Sequence, residues 1–291
     1  MERAINNNKP GLGISDEQLA TQPTAYRDDL LKGKVVVVSG GETALSRAIT
    51  ILLVRLGAEV MLCGGEEEGL IASAQRVKKQ LGHDIDTVLI DLQDASTVDN
   101  LMDKVWAMFG KLDILVNNSP HQAPGNAIDL TIAQWQSAIN TNLNGNWHMM
   151  QKAAQQWRVH NQPGSIVNIV ADIWRGMPGA AHDCAARAGV VFASRSLAVE
   201  WAPYKIRINC IAAGTIMTDD LNVYPPEAAK HFEHANPMLH SGDAMDIAEA
   251  VVYLGSNAGK FITGECLTID GGQQLWGEVW LNGKPEHFET P

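Results

Sequence analysis

Two patterns of apolar and polar positions alternate along the chain. Short apolar runs rich in β-branched residues, such as VVVVS at 35–39, predict strands that are buried on both faces. Stretches in which apolar residues recur every three or four positions, such as 43–56, predict helices. The predicted strands are 35–39, 59–63, 87–91, 112–118, 165–170, 206–211 and 266–270, and the helices lie within 43–56, 67–81, 96–109, 131–159, 182–201 and 244–256.

This alternation predicts a doubly wound α/β fold of the Rossmann type. Parallel strands joined by right-handed helical crossovers give a seven-stranded sheet with helices on both faces. Residues 1–32 are polar and contain several Pro and Gly residues, so we predict an extended N-terminal arm with few core positions. Residues 33–272 form the single predicted domain, with a substrate loop at 219–241, and 273–291 form a C-terminal tail.

Composition narrows the classes of partner. A formal net charge of -11 argues against nucleic acid, because binding phosphates requires clustered Lys and Arg. No run of apolar residues reaches the length of about 18 that a membrane span needs, so no membrane association is expected. The N-terminal residues lack the apolar core of a signal peptide, which favours a cytoplasmic location. Four widely spaced cysteines predict reduced thiols rather than disulfides, and no metal site is expected.

Several motifs occur in an order that is typical of one family. The first strand leads into a glycine-containing turn, as expected where backbone N–H groups approach a pyrophosphate. The motifs are SGGETALSRA (39–48), Asn117–Asn118, NTNLNG (140–145), GSIVNIV (164–170), AARAGV (185–190), INCIAAGTIMT (208–218) and ITGECLTIDGG (262–272). Together they resemble the short-chain dehydrogenase/reductase family over roughly residues 33–272.

The resemblance implies roles for individual residues. Asn117 would stabilise the sheet beside the cofactor, and Asp91 would lie near the adenine. Asn142 would hold a water of the proton relay. The residues implied in cofactor binding are Ser39, Gly40, Asp91, Asn117, Arg187, Ile216 and Thr218, the last two contacting the nicotinamide carboxamide. Members of this family are commonly oligomeric, so a homodimer or homotetramer is expected.

The phosphate-binding turn departs from the family pattern. Ala44 and Ser46 replace two of its glycines, and a left-handed backbone at Ala44 would cost about 1–2 kcal/mol. Weakened dinucleotide binding is therefore expected. The second strand ends in Gly64–Gly65 and is followed by three glutamates at 66–68. These acids either repel a 2′-phosphate, which favours NAD over NADP, or simply stabilise the N-terminus of the next helix.

The catalytic positions depart further. Where the family has Ser, Tyr and Lys, this chain has Ala171, Asp183 and Arg187. Asp183 and Arg187 are four residues apart on a helix and should pair, which keeps the carboxylate ionised and unable to donate a proton. A catalytic role and a purely structural pair both remain open. His182 and Tyr224 are alternative acid–base groups.

Three functional hypotheses follow. The first is an NAD-linked oxidoreductase that acts on an alcohol, ketone or enoyl group with a non-standard acid or base. The WRGMPGAAH…CAARAGV stretch and the WGEVW tail resemble relatives in the breakdown of branched-chain alcohols or acyl-CoA. The second is a catalytically silent subunit (a pseudoenzyme) that packs with an active homologue and binds no cofactor. The third is a sensor that binds a small ligand in the same pocket.

Overall fold

A seven-stranded parallel sheet forms the centre of the protein. The computed structural model describes residues 12–119, 125–223 and 232–275. The strands are β1 (Val35–Ser39), β2 (Glu59–Gly64), β3 (Asp86–Leu89), β4 (Ile114–Asn118), β5 (Gly164–Ala171), β6 (Ile206–Ala213) and β7 (Cys266–Ile269). Their spatial order is β3-β2-β1-β4-β5-β6-β7, and every pair is parallel. The predicted fold class is therefore confirmed.

Helices cover both faces of the sheet. They are α1 (Asp16–Thr21), α2 (Ala44–Arg55), α3 (Glu67–Leu81), α4 (Ala95–Phe109), α5 (Ile132–Ile139), α6 (Asn146–Val159), α7 (Ala181–Glu200) and α8 (Ala244–Gly255). One apolar core lies between the sheet and α2, α3 and α8, and a second lies between the sheet and α4 and α6. Helix α7 closes a smaller cluster against β5 and β6. Since β1 and β4 are neighbours, the strand order reverses there, and the carboxyl ends of the strands open a crevice at this point.

The helix predicted within 131–159 is interrupted. Residues Asn140–Gly145 form a π-helical turn between α5 and α6. A π-helical turn adds a residue to the helix and changes the direction in which side chains point, and such turns are frequent at functional sites. Here the turn contains Asn142, whose side chain is buried.

The N-terminal segment differs from the predicted extended arm. Within its described part, residues 16–21 form α1, which begins with a capping box between Ser15 and Gln18. Leu19 and Leu31 are 3% and 1% exposed and belong to the first core. The guanidinium of Arg55 on α2 donates hydrogen bonds to the carbonyls of Leu19 and Gln22. The described part of this segment, residues 12–32, therefore packs on the domain.

Candidate functional site

A pocket of about 430 Å³ opens at the carboxyl edge of β1, β2 and β3. It lies on one side of the point where the strand order reverses, which is the usual position of ligands in open α/β sheets. Its walls come from the β1–α2 turn, the end of β2, the segment after β3 and the π-helical turn. The lining residues are Gly40, Glu42, Gly64, Gly65, Leu89, Ile90, Asp91, Leu92, Thr97 and Thr141.

The β1–α2 turn is held by a buried polar network. Gly40 has a φ of 62°, and a Cβ there would lie 2.0 Å from the carbonyl oxygen of Asn118, so only glycine fits. The Ser46 hydroxyl donates to the carbonyl of Ser39 at 2.9 Å and accepts from the side-chain amide of Asn118 at 2.8 Å. The Ser39 hydroxyl accepts from the backbone N–H of Asn118 at 3.0 Å. Ser39 and Ser46 therefore tie β1, α2 and β4 together.

The backbone strain that a left-handed conformation would cause at Ala44 is absent. Ala44 is the first residue of α2, and it is not among the residues with positive φ. The N–H groups of Ala44 and Leu45 instead donate to the two carboxylate oxygens of Asp220, at 3.1 and 3.3 Å. An acid from a segment 175 residues further along the chain thus occupies the helix N-terminus. Sequence patterns gave no sign of this contact, because nothing local relates the two segments.

Glu42 fills the space at the end of β2. A Cβ on Gly64 would lie only 1.8 Å from Oε2 of Glu42, and Oε1 of Glu42 accepts from the N–H of Gly65 at 3.3 Å. Burial raises the pKa of Glu42, and the negative charges of Glu66 and Asp220 raise it further. Oε2 is buried without a hydrogen-bond partner among the described residues. The sequence offered a signal for this residue, since two glycines at a strand end leave room for a side chain from the adjacent turn.

The other acids near the pocket have different surroundings. Asp91 lines the pocket, and its Oδ1 accepts from the N–H of Gln93 at 2.9 Å. Glu67 and Glu68 lie in the first turn of α3, where acids interact favourably with the helix dipole. Glu66 precedes them without a side-chain capping hydrogen bond.

The residues predicted at the family's Tyr and Lys positions form a buried ion pair. Nε of Arg187 donates to Oδ2 of Asp183 at 3.0 Å, and the side-chain amide of Asn142 donates to Oδ1 at 2.6 Å. All three residues are at most 4% exposed. The predicted pairing of 183 with 187 is thus present. Asn142 contacts the carboxylate directly, and its Oδ1 has no partner among the described residues.

Of the two alternative acid–base groups, only His182 lies among the described residues. His182 lies in the first turn of α7 and is buried. Tyr224 lies outside the described residues. Asp172 follows Ala171 directly at the end of β5, and sequence reasoning overlooked it. Burial raises the pKa of Asp172, the N–H of Trp174 lowers it and the charge of Asp270 raises it.

The remaining predicted cofactor residues are mostly buried. The amide of Asn117 donates to Oδ1 of Asn168 at 2.8 Å and so links β4 to β5. The side chain of Ile216 packs in the first core. The hydroxyl of Thr218 donates to Oδ2 of Asp220 at 3.3 Å.

The site fits the two ends of a dinucleotide differently. At the nucleoside end, the unpartnered Oε2 of Glu42 is an acceptor suited to the hydroxyl groups of a ribose. At the phosphate end, the N–H groups of α2 already bind Asp220. In the described part of the chain no group of three or more His, Cys, Asp or Glu could hold a metal ion.

Comparison with known proteins agrees with this architecture. The profile of the family described as enoyl-(acyl carrier protein) reductase matches residues 40–274. The 3-oxoacyl-[acyl-carrier-protein] reductase FabG of Chlamydia muridarum is 31% identical over 246 residues, covering 84% of this chain and 99% of the relative. The probable 2,4-dienoyl-CoA reductase of Bacillus subtilis is 31% identical over 260 residues, covering 88% of this chain and 100% of the relative.

Another relative and one solved structure are dehydrogenases by name. The (2S)-[(R)-hydroxy(phenyl)methyl]succinyl-CoA dehydrogenase subunit BbsD of Thauera aromatica is 28% identical over 246 residues, covering 84% of this chain and 98% of the relative. The structure of the citronellol catabolism dehydrogenase AtuB of Pseudomonas aeruginosa superimposes with a TM-score of 0.76 at 29% identity, covering 86% and 99%. The chain therefore belongs to the short-chain dehydrogenase/reductase family of oxidoreductases.

Proposed function

We propose that the chain is an NAD-linked oxidoreductase that acts on an alcohol, ketone or enoyl group. The observation that carries this proposal is the pocket at the nucleoside end of the crevice, which is lined by Glu42, a residue whose Oε2 is buried without a hydrogen-bond partner among the described residues. A ribose offers two hydroxyl donors, and an acid beside them is the usual recognition element for NAD. Small-molecule reductases and dehydrogenases among the relatives support the same class of reaction.

The charges around the pocket favour NAD over NADP. Glu42 and Asp91 line it, Glu66 lies close enough to raise the pKa of Glu42, and the described lining contains no Lys or Arg. A 2′-phosphate would therefore meet negative charge with no neutralising cation, and like charges at such distances are costly.

Proton transfer requires a group other than Asp183. The cofactor of this family supplies or accepts a hydride, and the protein must move the accompanying proton. Asp183 accepts hydrogen bonds from both Asn142 and Arg187, which stabilises its charged form and leaves it unsuited to donate. Asp172 lies at the carboxyl end of β5 with a raised pKa, so it holds a proton to higher pH than an ordinary aspartate. We assign it as the candidate donor.

Cofactor titration tests this proposal. NADH binding is followed by nicotinamide fluorescence, and NAD and NADP binding by calorimetry. We expect NAD(H) to bind more tightly than NADP and Glu42→Ala to weaken NAD binding by about tenfold, as loss of a charged hydrogen-bond partner would. Glu68→Ala removes the same charge from an exposed position on α3 and should leave binding unchanged. Equal affinity for NAD and NADP, or equal effects of the two variants, would contradict the proposal.

A second candidate function is a catalytically silent subunit of an oxidoreductase. The observation that favours it is the buried set of Asn142, Asp183 and Arg187, the last two of which are predicted at the positions of the family's proton-transferring pair. One relative, BbsD, is itself named as a subunit of a dehydrogenase. If this function is correct, the isolated chain should oxidise no alcohol with NAD, and a complex with an active family member from the same organism should be recovered by co-expression.

A further inference from the structure

The backbone donors at the start of α2 are all used within the chain. Ala44 and Leu45 donate to the carboxylate of Asp220, and the N–H of Ser46 donates to the hydroxyl of Thr43 at 3.1 Å. In the turn before the helix, the N–H of Gly41 donates to the carbonyl of Cys63 at 2.9 Å. These are the groups that a bound pyrophosphate would need in a dinucleotide fold.

Asp220 is held in this position by its own segment. The short 3₁₀ turn Asp219–Val223 carries it, and the hydroxyl of Thr218 donates to its Oδ2. Asp219 next to it points elsewhere, because its Oδ1 accepts from the N–H of Leu12 at 2.9 Å. Gly13 packs so closely on this segment that a Cβ there would lie 1.9 Å from the carbonyl oxygen of Met217. The N-terminal segment and the 217–220 segment thus fix the carboxylate together.

A carboxylate and a phosphate compete for such a position. Both are anions with acceptor oxygens, and both are stabilised by the free N–H groups and the dipole of a helix N-terminus. Asp220 also lies close enough to Glu42 to contribute to its raised pKa. A pyrophosphate would add charge beside two carboxylates. Arg47, one turn further along α2, is engaged with Asp16 at 2.7 Å.

We propose that Asp220 is a selectivity-determining residue that competes internally for the pyrophosphate position. The pocket then accepts an adenine nucleoside without any change at α2, whereas a dinucleotide binds only after the Asp220 carboxylate has moved away. This inference rests on the proposed function in one respect, namely that the nucleoside end binds at Glu42. Beyond that function, Asp220 would weaken the binding of the pyrophosphate of NAD, the cofactor proposed for this chain.

Paired titrations of adenosine and NAD test the inference, with Asp220→Asn as the variant and Asp219→Asn as its control. Both substitutions remove one negative charge from the same 3₁₀ turn, but the carboxylate of Asp220 accepts from N–H groups of α2, whereas that of Asp219 accepts from Leu12. We expect Asp220→Asn to tighten NAD binding by at least about tenfold, as removal of a directly competing charge would, and to leave adenosine binding within about twofold. Asp219→Asn keeps an Oδ1 acceptor for the N–H of Leu12 and should change neither affinity.

The outcomes separate this inference from the proposed function. If the wild type binds adenosine but Asp220→Asn leaves NAD binding unchanged or weaker, the competition is disproved and the proposed function stands. If neither the wild type nor the variants bind adenosine or NAD, the proposed function fails and the inference fails with it. Thermal unfolding of each variant shows whether it is folded. Asp220→Ser, which retains a short acceptor without charge, gives a second measure and should also tighten NAD binding.

Discussion

At the scale of single residues, the buried pair of Asp183 and Arg187 bears most directly on the proposed proton transfer. Its two side chains are at most 5% exposed, and Asn142 completes the contacts of the carboxylate. A phenol beside an ammonium can exchange a proton near neutral pH, whereas a carboxylate beside a guanidinium stays ionised. We therefore expect the pair to contribute structure to α7 and proton transfer to fall to other groups.

Breaking this pair on one side should be costly. Arg187→Met removes the guanidinium and leaves the Asp183 carboxylate buried, which should lower the free energy of unfolding by about 3–5 kcal/mol. Urea denaturation followed by circular dichroism measures this. The double variant Asp183→Leu with Arg187→Met removes both charges and should recover most of the loss. A single variant as stable as the wild type would show that the pair is not a structural element.

Glu42 should make stability depend on pH. Because its pKa is raised in the folded chain above the ordinary value of 4.5, the folded state binds this proton more tightly than the unfolded state. The contribution of Glu42 to the free energy of unfolding therefore falls as the pH rises from its ordinary pKa through its raised pKa in the folded chain. Glu42→Gln should melt at a higher temperature than the wild type near pH 7, and the gain should shrink toward about pH 4. Glu68→Gln is the exposed control, and an equal gain for it would refute the assignment.

At the scale of elements, the N-terminal helix and α2 form one packed unit beneath the crevice. Asp16 of α1 pairs with Arg47 of α2, and Arg55 at the other end of α2 holds the end of α1. The same N-terminal segment reaches Asp219 through Leu12. Through these contacts α1 supports both the helix that begins at the crevice and the segment that bears Asp220.

Leu19 tests whether α1 is part of the core. Leu19→Ala removes a side chain that is 3% exposed and should destabilise the protein by about 2–5 kcal/mol, as in other buried sites. Thr21→Ala on the exposed side of the same helix should cost far less. Chemical denaturation of the two variants compares them. Similar, small effects for both would mean that the segment adds little to the fold.

At the scale of the whole molecule, α7 presents apolar side chains outward. Phe192 and Val199 are 60% and 77% exposed, and they lie seven residues apart on the same helix. None of the described helices, α7 included, combines the length and the apolar character of a membrane span. Large exposed apolar side chains at helical spacing are typical of protein–protein contacts. They agree with the expectation that members of this family associate, although the number of subunits is a prediction.

Association through α7 can be measured directly. Phe192→Glu places a charge in the centre of this face and should shift the protein to a smaller species in light scattering coupled to size-exclusion chromatography. Ile71→Glu changes an apolar residue of α3 that is 44% exposed and should leave the mass unchanged. A wild-type protein that is monomeric at the concentrations of the assay would overturn this prediction.

The sheet, its helices and the family could be predicted from the amino-acid sequence. Strands such as 35–39 and helices such as 67–81 were predictable because periodicity is a local property, and the chirality of crossovers then leaves few topologies. The replacement of the family's catalytic residues, which depends on reading AARAGV as the start of α7, stays a prediction. The spacing of four residues between Asp183 and Arg187 predicted their ion pair, which is present in the structure.

The groups that fill the site could be identified only in the folded chain. The carboxylate of Asp220 reaches α2 across 175 residues of sequence, and that of Glu42 takes the space that Gly64 leaves open. The packing of α1 depends likewise on Arg47 and Arg55. Contacts between distant segments leave no periodic trace in the chain, because they depend on how close the folded backbone brings them. The sequence thus identified the kind of site, and only the folded chain showed which of its own acids stand where a cofactor would bind.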